Sequence, residues 1–145
     1  MIILDTNVIS ETQRTRPDDA VMAWLNAQDP TNLYLTTVSA AELVFGVNCL
    51  AAGRRRDVLE RAVSAILEED FAGRILPFDL TAAGIYGMAV AARKRGHTIA
   101  TADGQIASIA LAHDGALVAT RDRAPFAALG LTLLDPWAFD ANRRR

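Results

Sequence analysis

IILDTNVIS, residues 2–10, holds the first decision about the fold. Ile2, Ile3 and Leu4 are apolar at successive positions, which fits a strand buried on both faces and is too short for a helix. Asp5, Thr6 and Asn7 follow at once, and the chain turns apolar again near Val8, where a helix is predicted to begin. A carboxylate directly after a buried strand has two readings. Asp5, Thr6 or Asn7 caps the helix, a contribution of about 1 kcal/mol. Alternatively, Asp5 is one wall of an acidic site, because open parallel sheets bind ligands outside the carboxyl ends of their strands.

The same alternation recurs along the chain. Residues 33–38 (LYLTTV), 73–79 (GRILPFD), 116–120 (ALVAT) and 131–134 (LTLL) read as further strands. Helices are predicted over 18–28, entered at Pro17 with Val21, Trp24 and Leu25 on one face, and over 39–52, 57–69 and 81–95. Another runs from Ala102 through Ile106 and Ile109 to the turn His113-Asp114-Gly115. Gly53 and the triplet Arg54-Arg55-Arg56 are expected to break the helical run, and Gly96 to end the Ala-rich helix. Five short strands alternating with helices predict an α/β fold, a parallel five-stranded sheet flanked by helices on both faces. With 145 residues and no repeat, linker or low-complexity segment, residues 1–145 read as a single domain, with 139–145 a loosely ordered basic tail.

Composition narrows the function classes. A chain that is 51% hydrophobic and 22% charged, with a mean hydropathy of +0.15, is a folded globule rather than a disordered segment. No apolar run approaches the roughly 18 residues of a membrane span, and the N-terminus lacks the basic segment of a signal peptide. A cytoplasmic protein with no membrane association is expected. Cys49, the single cysteine, forms no internal disulfide and is predicted to be a small core residue. A net charge of -2 does not announce a nucleic-acid binder. The basic residues, all arginine except Lys94, nevertheless gather at 54–56, 93–95, 121–123 and 143–145. Singly, each cluster reads as a solvated helix face or a frayed end.

Four acids stand at strand-to-helix corners: Asp5, Glu42, Asp103 and Asp122. Each has an innocent explanation. Asp5 and Asp103 cap helices, Ser39-x-x-Glu42 forms a capping box in which Glu42 bonds back to the Ser39 amide, and Asp122 shapes a turn. Their recurrence at several corners, where Ser or Thr is expected to serve the other caps, argues for a common acidic mouth. Crowded carboxylates repel one another and call for a cation. Oxygen ligands without a nearby His or Cys cluster favour Mg²⁺ or Mn²⁺ over zinc. His97 and His113 are isolated and are expected on surfaces.

The stretches LDTNVISE, TTVSAAELVFGV, TADGQIASIALAHDGALVATRD and LTLLDPW resemble the PIN-domain ribonucleases of the VapC and FitB toxin type, in order and spacing over nearly the whole chain. The resemblance implies that Asp5, Glu42, Asp103 and Asp122 surround one or two divalent metals, Mg²⁺ with Mn²⁺ as a substitute, and that Thr6, Asn7 and Thr120 support them. Glu42 then either binds the metal or holds a metal-bound water. Two positions depart from the pattern: relatives often carry Asn where Asp122 stands, and an Asp-Phe pair in place of Pro125-Phe126. The expected activity is metal-dependent endonucleolytic cleavage of RNA, with Arg121 or Arg123 holding RNA phosphates at a corner otherwise too acidic for a polyanion. The expected partners are an adjacently encoded antitoxin of the VapB or FitA type, whose C-terminal segment covers the mouth, and a second copy in a homodimer. Operator DNA is reached only through the antitoxin. Trp24, Phe45 and Trp137 are candidates to line such a groove but read first as core.

Two other classes compete. A phosphoacceptor signalling domain also gathers acids and Mg²⁺ at strand ends, but it wants an adjacent acidic pair after the first strand and a functional lysine near its end. Here Asp5 stands alone and Lys94 falls on a helix. A metal-free binding module would use the acids only as caps.

Overall fold

Ile3 and Leu4 point to opposite faces of the strand β1 (Ile2–Leu4), and that alternation organises the molecule. In the computed structural model, which describes residues 1–96 and 98–140, both side chains are fully buried, Leu4 in one apolar cluster and Ile3 in another. After β1 come α1 (Thr6–Thr12), α2 (Asp19–Asn26), β2 (Leu33–Thr36), α3 (Thr37–Asn48) and α4 (Arg54–Ala65), which runs into a π-helical turn at Ile66–Asp70. Then follow β3 (Ile75–Leu76), α5 (Leu80–Lys94), α6 (Thr101–Leu111), β4 (Leu117–Ala119), α7 (Arg123–Ala127) and β5 (Thr132–Leu134). The five strands are all parallel, in the order β3-β2-β1-β4-β5.

Helices cover both faces, as the strand pattern requires. On one face Leu4 and Leu35 pack with Val8, Val21, Trp24, Leu43, Val47 and Val63 of α1 to α4. On the other, Ile3 and Val118 pack with Ile106, Ala107 and Ala110 of α6 and Phe126 of α7. Each large aliphatic side chain so buried contributes about 1.5–3 kcal/mol. Gly115 makes the tight turn from α6 into β4 with φ of 70°, a left-handed conformation that other residues rarely adopt.

The chain steps outward from β1 to β2 and β3, then returns to the far side of β1 for β4 and β5. The strand order therefore reverses between β1 and β4. Register pairs Leu4 with Ala119, so Asp5 and Thr120 leave neighbouring strands side by side. Their amides continue the ladder, Asp5 donating to the Ala119 carbonyl and Thr120 to that of Leu134, each at 3.0 Å.

Several local expectations are corrected. The strand at 33–38 ends at Thr36, because the Thr36 hydroxyl accepts from the Ser39 amide at 3.0 Å and starts α3 two residues early. The helical run is interrupted ahead of Gly53, which is the N-cap of α4, but the Arg54-Arg55-Arg56 triplet does not belong to the break and forms the first turn of α4. The third strand shrinks to two residues, and α7, with Pro125 tolerated in its first turn, was not foreseen. Cys49 is exposed rather than core, since it caps the C-terminus of α3. Caps are not left to Ser and Thr: Asp18, Asp29 and Asp135 all accept from backbone amides at helix starts. The basic tail predicted at 139–145 falls outside the described residues from 141 onward. Among the described residues, no helix is long and apolar enough to cross a membrane.

Candidate active site

The reversal between β1 and β4 opens the crevice where parallel sheets place their ligands. Asp5 stands in it, only 5% exposed. Its Oδ1 accepts from the Thr6 amide at 2.7 Å, and its Oδ2 from Asn7 Nδ2 at 2.8 Å and the Thr120 hydroxyl at 2.7 Å. The two readings of Asp5 therefore coexist, for the same carboxylate that caps α1 also faces the crevice. Thr120 is fully buried and accepts from Asn7 Nδ2 at 3.1 Å and the Asp122 amide at 3.0 Å. Its own proton is thus available to Asp5. Asn7 closes the frame by accepting from the Arg121 amide at 3.4 Å.

The other three acids do not serve as caps. Glu42 lies on the second turn of α3, exposed, and accepts from the Thr6 hydroxyl. The predicted capping box is overturned, because Thr36 already holds the Ser39 amide. Asp103 sits in the first turn of α6, whose N-cap is Ala100, and takes no hydrogen bond or ion pair among the described residues. Asp122 occupies the N-cap position of α7 without a side-chain bond to that helix.

These carboxylates share one electrostatic environment. Burial raises the pKa of Asp5; hydrogen bonds from Thr120 and Thr6 lower it, and the charges of Glu42 and Asp122 raise it again. Asp103 is pushed from 3.8 to about 6, first by burial and then by Asp5, Asp122 and Glu42. Among the described residues, no positive side chain lowers either group. The acids are near enough to act on one another's charge, yet they do not form a closed cage. Among the described residues, no three of His, Cys, Asp or Glu are placed so that together they could hold a metal ion.

The remaining candidates are distributed unevenly. The Arg121 guanidinium lies over the Trp137 ring, 5.5 Å from its centroid, while Arg123 is exposed at the start of α7. Trp24 is core and Trp137 is partly buried against the same cluster. Phe45 is not core. It is 69% exposed, because the buried positions of α3 are Ser39, Leu43 and Val47, and Phe45 falls on the opposite side of the helix. His113 is at the far end of α6 from Asp103, its Nδ1 2.8 Å from the Ile109 carbonyl, and His97 lies outside the described residues.

Two features escaped the sequence reading. Glu11 is buried, accepting from the Asp18 amide at 3.0 Å and from Arg14 Nη1 at 3.1 Å, so it ties α1 to the start of α2. A groove of about 1070 Å³ runs between α1, α3 and α4, with Leu43, Val47 and Leu59 in its floor. Arg14, Arg16, Arg54 and Arg55 edge it, and Glu42 joins it to the acidic mouth. Only the folded packing of three helices assembles that groove, so no linear motif signals it.

A parallel α/β domain with a ring of carboxylates at its strand-order reversal defines a recognisable class. Residues 2–130 match the PIN domain family. The chain belongs to that family. It is 47% identical over 138 residues to VapC ribonuclease Y4jK of Sinorhizobium fredii, covering 94% of this chain and 98% of that protein. It is 43% identical over 138 residues to toxin FitB of Neisseria gonorrhoeae, covering 94% and 99% respectively. The solved structure of FitAB bound to an IR36 DNA fragment superposes with a TM-score of 0.88 at 41% identity, covering 97% of this chain and 98% of that one. The fold class expected from the sequence is therefore the one observed.

Proposed function

We propose that the protein is a Mg²⁺-dependent endoribonuclease, the toxin of a type II toxin–antitoxin pair. The observation that carries this reading is Asp103, a carboxylate pushed to about 6, without a hydrogen bond or ion pair among the described residues, beside three other acids. Such a group is relieved by a cation. The side chains are all oxygen donors, which favours Mg²⁺, an ion that takes one or two carboxylates and fills its octahedron with waters and substrate phosphate and so does not require three protein ligands placed together. Mn²⁺ is expected to substitute. Asp5 and Asp103 are the proposed ligands, and Glu42 and Asp122 either complete the coordination or orient the attacking water. When bound, the ion supplies positive charge at the scissile phosphate and a more acidic water.

The chain's own residues supply the rest. Thr6, Asn7 and Thr120 fix the Asp5 carboxylate with three hydrogen bonds, so its orientation is set before substrate arrives. The Thr6 hydroxyl orients Glu42, which stays exposed and able to take a proton from a water at the mouth. The names VapC ribonuclease and toxin FitB, carried by proteins 47% and 43% identical, support the same substrate and role.

The groove between α1, α3 and α4 supports a protein inhibitor. Its apolar floor suits an amphipathic segment, its arginine edge suits acidic flanks, and Glu42 leads from it to the mouth. An antitoxin of the VapB or FitA type is the proposed occupant. Homodimerisation, contact with operator DNA through the antitoxin and a cytoplasmic setting belong to the same proposal.

The test is incubation of the purified protein with RNA in Mg²⁺, Mn²⁺ or EDTA, beside Asp103→Asn. Cleavage that needs the ion and is lost in the variant supports the reading. Cleavage that survives EDTA, or that Asp103→Asn leaves untouched, overturns it.

A further inference from the structure

The acidic mouth creates a problem for its proposed substrate. Four carboxylates repel an RNA backbone, the whole chain carries a net charge of -2, and among the described residues no cationic side chain offsets Asp5 or Asp103. A phosphate can approach only if a positive group stands at the rim without being consumed by those acids. Arg121 is the candidate that the backbone places at that corner. It follows Thr120, which holds Asp5, and precedes Asp122, yet among the described residues it makes no ion pair. Its guanidinium lies instead over Trp137, 5.5 Å from the ring centroid.

That arrangement is rigid at both ends. The Arg121 amide donates to Asn7 Oδ1 at 3.4 Å, which fixes the backbone to the α1 corner. Trp137 belongs to the short turn Pro136–Ala138, capped by Asp135, which accepts from the Trp137 amide at 3.0 Å. Pro136 is buried, and Trp137 packs against the cluster of Leu4, Val8 and Trp24. Stacking engages the face of a guanidinium and leaves the N–H donors along its edge unused. Arg121 is exposed, so those donors meet solvent. Arg123, the other arginine of the corner, has no such aromatic support among the described residues.

We propose that Arg121 is the phosphate clamp of the site and that Trp137 is its positioning residue. The clamp holds a phosphate of single-stranded RNA next to the scissile one, and the tryptophan keeps the guanidinium stacked at the rim instead of collapsed onto the carboxylates. The inference rests on the ribonuclease reading for its substrate. It makes Arg and Lys unequal here, since an ammonium on a flexible stem neither stacks nor forks around a phosphate in the same way.

The test measures cleavage kinetics in Mg²⁺ and, in parallel, binding of a fluorescently labelled RNA oligonucleotide as salt is varied. The variants are Arg121→Ala, Arg121→Lys, Trp137→Leu and the double Arg121→Ala/Trp137→Leu, each with its melting temperature recorded. Arg121→Ala is expected to raise KM about tenfold with kcat within about twofold, and to flatten the salt dependence of binding by about 0.7 in log–log slope, the loss of one single-strand phosphate contact. Arg121→Lys should fall between it and the wild type. Trp137→Leu should raise KM about threefold, and the double variant should be no worse than Arg121→Ala alone, because the tryptophan acts through the arginine. Unchanged KM and slope in Arg121→Ala, or additive effects in the double variant, overturn the proposal while a cleaving wild type keeps the nuclease reading intact. If the wild type cleaves nothing but binds RNA in an Arg121-dependent way, the clamp stands and the nuclease reading falls. If it neither cleaves nor binds RNA, both fall.

Discussion

Replacing Asp103 by Asn should stabilise the metal-free protein, and the size of the effect follows from the mouth. Asp103 moves from 3.8 to about 6 on folding, through burial and three neighbouring acids. A shift of about two units corresponds to about 3 kcal/mol of opposition to the ionised form. Solvent reaches this half-buried group, which screens the effect to about 1–2 kcal/mol. The folded pKa lies above the unfolded one, so the folded state binds more protons in between. The metal-free fold therefore loses stability as pH climbs from about 4 to about 6, and stays weakened above that. Asn carries no charge and avoids the loss. In EDTA at pH 7 the variant should melt about 3–6 °C above the wild type, and the gap should close toward pH 4. Saturating Mg²⁺ should reverse the order, since a ligand at about 100 times its Kd adds about 2.7 kcal/mol to the protein that binds it. If Asp103 instead served only the amino end of α6, it would contribute about 0.3–1 kcal/mol, and Asn would melt lower. An Asn variant that melts at or below the wild type in EDTA at pH 7 refutes the crowded-acid argument.

Asp5→Asn should abolish RNA cleavage but, unlike Asp103→Asn, lower stability, because the amide cannot accept from Thr6, Asn7 and Thr120 together. The stranded donor costs about 1–3 kcal/mol, readable by urea unfolding. His113→Ala should leave cleavage unchanged, as the imidazole is occupied with the Ile109 carbonyl at the far end of α6; a dead variant would place chemistry where none is assigned. Mg²⁺ and Mn²⁺ should support cleavage, and Ca²⁺ should bind yet drive little turnover, because it tolerates irregular geometry; equal rates in Ca²⁺ would contradict the proposed donor arrangement. In a complex with its antitoxin, hydrogen exchange should slow along α1, α3 and the front of α4 and around Asp5. Protection confined to the α5 face would remove the groove from the blocking mechanism.

The sheet was legible because its strands are short and mostly apolar, and the mouth because acids recur where strands end. Leu4-Asp5 and Ala119-Thr120 are adjacent in register, so a pattern read from two separate stretches becomes one site. Other features were not legible, and three show why. The start of α3 depended on Thr36 outcompeting Ser39 as a cap, a choice between two hydroxyls three residues apart. Phe45 looked like core because an apolar run hides which side of a helix faces inward; the buried Ser39, Leu43 and Val47 settle that. Asp was read as a sign of chemistry, yet Asp18, Asp29 and Asp135 are ordinary caps, so residue type alone did not separate the two roles. What separates them is the partner: those three hold amides of their own helix starts, whereas Asp5 also holds a side chain from the other end of the chain.

That last contact has a consequence for the order in which the protein comes into being. Asp5 and Thr120 are separated by 115 residues, and β4 must be laid beside β1 before they meet. A growing chain that has left the ribosome only as far as α4 already displays Asp5 and Glu42, but it has no Asp103, Asp122 or Thr120 to set against them. The long loop must close before the pairing rewards it. The mouth is therefore among the last parts of the molecule to be assembled. If the assembled site is the toxic one, synthesis itself leaves an interval in which the residues of the groove between α1, α3 and α4 have all been made while those of the mouth have not.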